Sequence, residues 1–344
     1  MAEAPKNKSY ILIAILAVIW GSSFILIKKG IDVYTPFQVG AIRIFVAAIA
    51  LFPFIFRSFG KIEKSKWKYL AATGFLGNGI PAILFPLAET NISSAVAGMI
   101  NSLTPIFTLI AGMLFFGMKG GRNRISGLLI GLLGAVLLIF GRSGGGLQGN
   151  PLFVWYIVAA TICYALSVNV IRSYLTDLGS IRTTGFALFI AGVPMGIYLF
   201  STDFIQRTRV AEGAGFSMLC IVLLGLLSTA LSTVLFNKLI KISGALVASS
   251  VTYLIPIVAT VWGLADHESL GYLHLAGLGG ILGGVYLINK KAEAFQENKK
   301  DPRLVQGAFF NLFLFFAQCC KVFKKQGNGF NSFQKIEHTI MFVR

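Results

Sequence analysis

A single arginine stands inside a long apolar run. Arg43 lies in "TPFQVGAIRIFVAAIALFPFI" (35–55), seven residues beyond Pro36, about 10 Å along a helix at 1.5 Å per residue. A charge inside a membrane span costs about 2.5–3.5 kcal/mol on insertion scales, so it faces a partner or water. Two roles fit it. One is an anchor for a carboxylate or phosphate, which a guanidinium grips with charge-assisted, paired hydrogen bonds. The other is structural: a side chain that snorkels to the headgroups, or one that pairs with Glu89 and caps carbonyls.

Polar side chains recur at helical spacing elsewhere. Trp20, Ser23 and Ile27 share one face, as do Tyr164, Ser167 and Ile171. Trp20 and Tyr164 fit either a cavity wall that stacks on a solute or ordinary close packing beside Gly21 and Ser22. Ser94, Asn101, Thr104 and Thr108 make a second stripe; Ser249, Thr252, Pro256 and Thr260 make a third. Pro105 and Pro256 each remove a backbone N–H within their run and free a carbonyl. Interrupted segments at matching places in two halves point to a solute site, with a packing kink as the other reading. Asn78 and Tyr253 join these candidates, whereas Asn169, Asn237 and His274 fit interhelical hydrogen bonds equally well.

Other chemistries are poorly supplied. The acids near apolar runs, Asp32, Glu89, Asp266 and Glu268, stand at their ends. That leaves passive movement of a solute, or coupling through His274 or Glu89. An intramembrane enzyme would need a nucleophile–base pair or a metal cluster. With three histidines and four cysteines (Cys163, Cys220, Cys319, Cys320) no such spacing arises, and no metal, cofactor or catalytic residue is expected. No phosphate-binding G-x-x-x-x-G-K-[ST] occurs, so ATP is not expected to drive anything.

The elements that must hold these residues follow from composition. Of 344 residues, 56% are hydrophobic and 12% charged, against about 25% charged in soluble domains. Mean hydropathy is +0.77, so lipid must be the solvent for much of the chain. Ten apolar stretches are long enough to span: about 10–27, 36–56, 69–88, 93–116, 125–141, 151–171, 182–200, 216–237, 243–264 and 270–289. Their length and lack of alternation predict helices, giving an all-α polytopic membrane protein. The first is read as an uncleaved span, because it runs on into Phe-Ile-Leu-Ile and two lysines without a small-residue cleavage site. Lys28 and Lys29 are expected to serve last-turn carbonyls and headgroups. With the N-terminus cytoplasmic, sixteen Lys and Arg fall on the cytoplasmic side against five outside, so both termini are expected in the cytoplasm of a multi-pass cell-membrane protein. The net charge of +17 is therefore topology, and the scattered basic residues predict no nucleic-acid partner.

The chain also repeats itself. "LIGLLGAVLLIF" (129–140) and "LGGILGGVYLIN" (278–289) agree at seven of twelve positions, and a shift of 151 sets Gly74 on Gly225, Phe85 on Phe236 and Pro105 on Pro256. A shift of 144 sets Trp20 on Tyr164 and Ser23 on Ser167. Five spans per copy force the second to enter from the opposite side, the inverted-repeat plan of secondary transporters. The resulting organisation is an N-terminus (1–9), a first five-helix repeat (10–141), a linker (142–150), a second repeat (151–291) and a tail (292–344), interfacial or unstructured. The glycine stripes Gly127/Gly131 and Gly280/Gly284 predict close packing, within the monomer or across a homodimer.

These stretches carry a resemblance. "IWGSSFILIKKGI" (19–31), "TPFQVGAIRI" (35–44), "SSAVAGMINSLTPIFTLIAGMLFFG" (93–117), the paired glycine-rich helices and "LGGVYLINKK" (282–291) resemble the EamA-like branch of the drug/metabolite transporter superfamily over about residues 8–291. The resemblance implies ten helices, alternating access, a central cavity lined from both halves and, in most members, export of amino acids, other metabolites or toxic compounds. The chain departs from the pattern twice. The glutamate common after the fourth helix is replaced by Gly117-Met118-Lys119, although Glu268 keeps it in the second copy, and the chain runs past residue 300. The function expected is a secondary transporter that moves a small organic metabolite, amino acid-like or amphiphilic, outward by alternating access. A non-transporting receptor or scaffold is the other reading, and it would not need paired interruptions.

Overall fold

The computed structural model describes residues 6–118, 122–140, 151–268 and 271–289, within one unit that spans Met1–Asn298. These residues form helices joined by short turns, with no strand among them. The helices are α1 (Lys6–Gly21), α2 (Ser23–Ile31), α3 (Pro36–Ile55), α4 (Trp67–Gly74), α5 (Ile80–Glu89), α6 (Ser94–Asn101), α7 (Thr104–Phe115), α8 (Arg122–Phe140), α9 (Val154–Tyr174), α10 (Ser180–Phe200), α11 (Phe204–Val210), α12 (Ala214–Leu223), α13 (Ser232–Ser249), α14 (Ile255–Ala265) and α15 (Tyr272–Asn289). Among the described residues, seven helical stretches are long and apolar enough to cross a membrane: Ile11–Ile31, Pro36–Lys61, Lys64–Glu89, Ser94–Phe115, Val154–Tyr174, Ser180–Phe200 and Ala214–Ala245. Val251–Ala265 is a shorter apolar helix. The expected linker 142–150 and the tail 292–344 lie outside the described residues.

The helix ends follow local chemistry. Pro36 opens α3 behind a reciprocal cap, in which Gln38 N donates to Thr35 Oγ1 (3.3 Å) and Thr35 N donates to Gln38 Oε1 (3.1 Å). Leu16, Ile27, Leu70, Ile100, Ile106 and Phe186 are buried between helices, while Phe54, Leu133, Ile197 and Val261 stay more than half exposed. Exposed apolar side chains of that kind suit contact with lipid tails.

Three irregularities shape the interior. First, the third and eighth apolar stretches each widen into a π turn, at Phe75–Gly79 and Leu224–Leu231. In each a polar side chain reaches back five residues: Asn78 Nδ2 to Thr73 O (3.4 Å), and Thr229 Oγ1 to Leu224 O (3.1 Å). Second, the fourth stretch is two helices, α6 and α7, joined by Ser102 and Leu103. Pro105 cannot donate to Asn101 O, and the Thr104 hydroxyl takes that carbonyl instead (2.8 Å). Pro256 likewise stands in the first turn of α14, after a short 3₁₀ turn at Ser250–Tyr253. Each proline therefore begins a helix, where its fixed φ is favourable, and does not kink a continuous one. The two breaks touch, Ser102 Oγ donating to Thr252 O (3.3 Å). Third, α13 bends at Gly244, whose φ of +82° favours glycine.

The glycine stripes press α8 onto α15 within the chain. A Cβ on Gly284 would lie 2.4 Å from both Gly127 O and Gly131 N, and one on Gly134 would lie 2.5 Å from Ile281 N. Of the two uses expected for these glycines, packing within the monomer is the one these contacts make.

Candidate functional site

A cavity of about 90 Å³ opens between α1–α3, the two π turns, α9 and the paired helix breaks. By that measure it holds several waters or a compact organic group. Arg43 is the one charged side chain among the described residues that line it. It is buried, and its Nε donates to Thr229 Oγ1 at 2.6 Å. It does not snorkel, and among the described residues it makes no ion pair with Glu89.

The walls are aromatic. Trp20 donates from Nε1 to Ser228 O (2.9 Å), which ties α1 to the second π turn, and its ring meets Phe236 edge-on at 4.9 Å. Tyr164 stacks on Phe85 (6.0 Å, 27°), and Phe85 meets Phe24 edge-on. Asn78, Asn101, Thr104 and Thr252 supply amide and hydroxyl groups along the wall. Of the ten residues singled out from sequence, Trp20, Arg43, Asn78, Asn101, Thr104, Tyr164 and Thr252 meet at this cavity. Pro105, Tyr253 and Pro256 are not in its lining; the prolines shape the breaks that expose Asn101, Thr104 and Thr252.

Of the three residues left undecided, Asn237 also lines the cavity, its Nδ2 donating to Thr184 Oγ1 (2.8 Å). Asn169 is an interhelical tie, its Nδ2 donating to Thr108 O and Ala165 O (3.0 and 2.9 Å). His274 is buried, and its Nδ1 accepts from Gly271 N at 3.2 Å. Sequence reading missed Thr229, the partner of Arg43. The signal was available: the shift of 151 that pairs Gly74 with Gly225 also pairs Asn78 with Thr229.

Beyond one end of the cavity lies a charged latch. Lys28 Nζ pairs with Asp266 Oδ2 and Glu268 Oε1, both at 2.7 Å, and Lys29 Nζ with Asp266 Oδ1 at 2.8 Å. Glu268 also accepts from Ser94 N (3.0 Å), Ser94 Oγ (2.9 Å) and Ala95 N (3.0 Å), so it caps α6 as well as holding α2. The role expected for the two lysines is thereby corrected, since they bind carboxylates across the bundle. Hydrogen bonds from Lys28 and Lys29 hold the Asp266 carboxyl below its ordinary range. Burial pushes Glu268 up, but Lys28 and the Ser94 and Ala95 N–H groups outweigh it and leave Glu268 low as well. Groups with depressed pKa stabilise the fold above their ordinary range, about pH 4, and lose that effect as pH falls through their lower folded values. The melting temperature of wild type is therefore expected to exceed that of Asp266→Asn/Glu268→Gln at pH 7. The gap should close as pH drops below about 4; a gap independent of pH would show that the carboxylate charges do not hold the latch.

The sequence model of the EamA-like transporter family matches residues 7–140 and again residues 152–290. The chain belongs to the EamA-like transporter family. It is a multi-pass membrane transporter. An uncharacterized transporter of Archaeoglobus fulgidus is 29% identical over 83% of this chain and 99% of its own length. The uncharacterized inner membrane transporter YedA of Escherichia coli is 28% identical over 79% of this chain and 88% of its own. A protein of Streptantibioticus cattleyicolor, named a probable terminal-alkyne amino-acid exporter, is 23% identical over 86% of this chain and 98% of its own. A solved crystal structure shares the fold of this EamA-like chain, with TM-score 0.59 and 15% identity over 82% of this chain and 96% of the other. Among the described residues no three His, Cys, Asp or Glu side chains gather as metal ligands.

Proposed function

We propose that this EamA-like protein is a secondary transporter that moves a small organic solute outward across the cell membrane by alternating access, without ATP. The solute is amino acid-like or amphiphilic and carries an anionic group. The observation that carries this reading is one buried guanidinium in a cavity walled by aromatic rings, amides and hydroxyls. Arg43 would hold a carboxylate, Trp20 and Tyr164 would cover the apolar part, and Asn78, Asn101, Thr104 and Thr252 would take its polar groups.

The same reading makes the bundle ten spans in two inverted copies, 10–141 and 151–291, with both termini cytoplasmic and the cavity at their junction. Its support is the double match to one family model, the π turns at Phe75–Gly79 and Leu224–Leu231, and the broken fourth stretch facing Ser250–Tyr253. Broken helices in corresponding places leave backbone groups free beside a solute. A relative named for amino-acid export leans the same way.

The test is flux in proteoliposomes that hold no nucleotide. Preloaded radiolabelled amino acids and small amphiphilic acids are expected to leave by a saturable route, slowed when unlabelled solute of the same kind competes. Folded protein that passes none of a broad panel would leave a receptor or scaffold as the better account.

A further inference from the structure

Glu89 ends α5 in an unusual state. Its carboxyl is buried, 7% exposed, and neither oxygen has a hydrogen-bond partner among the described residues. Phe85, one turn earlier and on the same helical face, lines the cavity. Three charges lie within electrostatic reach: Lys28 from α2, Arg43 from α3, and Glu268, which sits on the N-terminus of α6. From α9, Tyr164 faces Arg43.

Among the described residues none of these cations makes an ion pair or hydrogen bond with Glu89. Lys28 and Lys29 are held by Asp266 and Glu268, two positive charges against two negative. The Nε of Arg43 goes to Thr229. An ionised carboxylate without a partner is strongly disfavoured away from water, so a carboxyl in this position keeps its proton.

We propose that Glu89 is a proton-binding site whose occupancy is set by the Lys28 latch. With the latch closed, Lys28 is taken by Asp266 and Glu268, and Glu89 is a neutral acid. When α2 parts from the segment at 266–268, Lys28 is released within reach of Glu89. Its ammonium then pairs with the carboxylate, and the proton passes to water entering that end of the cavity. Closing reverses each step. Opening of one end is thereby linked to release of one proton, the device a proton-coupled carrier requires. That consequence rests on the transport reading above, whereas the site itself does not.

The experiment reads the proton directly. Infrared difference spectra of the full-length protein in lipid bilayers are recorded as pH is stepped. Wild type is expected to show the carbonyl stretch of a protonated carboxylic acid at neutral pH, absent in Glu89→Gln. In Asp266→Asn/Glu268→Gln the freed Lys28 and the lost Glu268 charge should both favour the Glu89 anion and move the midpoint of that band down by one pH unit or more, about tenfold in proton affinity. Asp266→Asn alone, which loosens Lys28 and leaves the Glu268 charge in place, should move it less in the same direction. Failure of Glu89→Gln to remove any such band would overturn the proposal. So would a midpoint unmoved in both latch variants, which marks Glu89 as a buried structural acid. Absent solute flux with the band and its shift intact counts against transport and for the proton site.

Discussion

Arg43→Ala is expected to cut solute flux by at least about tenfold while expression and membrane insertion stay near wild type. A hydrogen bond to a charged group contributes ~1.5–3 kcal/mol, and a two-pronged contact with a carboxylate exceeds one bond. Insertion should not suffer, because removing an intramembrane charge lowers its cost. Arg43→Lys keeps the charge but loses the planar fork, so part of the activity should return. Thr229→Val removes the acceptor of the Nε (2.6 Å) and leaves the guanidinium in place but unanchored; a smaller loss is expected. Solutes that lack the anionic group should lose their disadvantage in the alanine variant. Parallel flux and size-exclusion measurements check all four. Normal flux in Arg43→Ala, or failure only through unfolding, would make the arginine structural and leave the site to the polar faces of α6, α7 and the 250–253 turn.

Gly284→Leu is expected to abolish the folded protein, while Gly283→Leu should be tolerated. The added Cβ at 284 would come within 2.4 Å of Gly127 O and Gly131 N, which are backbone atoms inside a neighbouring helix. Overpacking a core costs ~1–3 kcal/mol where side chains yield, and here none is available to yield. At 283 a Cβ meets nothing within 4 Å. The readout is the yield of monodisperse protein and its melting temperature in detergent. Equal behaviour of the two variants would mean that α8 and α15 do not make this contact.

Much of the candidate site is legible because its polar side chains stand at helical spacing in apolar surroundings. Any polar or charged side chain inside such a run is conspicuous, and Arg43, Asn78 and Asn101 stand out on that ground alone. The repeat then marked Trp20 with Tyr164 and Pro105 with Pro256. Thr229 escaped because a threonine beside a serine is an ordinary sight in a membrane helix, bonding to its own backbone. Only its alignment with Asn78 set it apart. The two prolines mark the helix breaks from sequence, and they do not line the cavity. A proline is visible from sequence, whereas the direction that its helix break turns neighbouring side chains is not.

Hydropathy, charge asymmetry and internal similarity are properties of the chain read locally, and they are enough to specify an all-helical protein built in lipid. The family is carried by the motifs at 19–31, 35–44, 93–117 and 282–291, and polar side chains at helical spacing mark the candidates for a solute site. Pairing across the bundle is another matter. Lys28 and Glu268 are 240 positions apart, and Lys29 and Asp266 are 237 apart. At the ends of apolar runs all four look like ordinary interfacial charges. Their pairing, the capping of α6 by Glu268 and the isolation of Glu89 exist only once the helices pack. In low dielectric the position of each charge decides which partner it satisfies and which carboxyl is left alone.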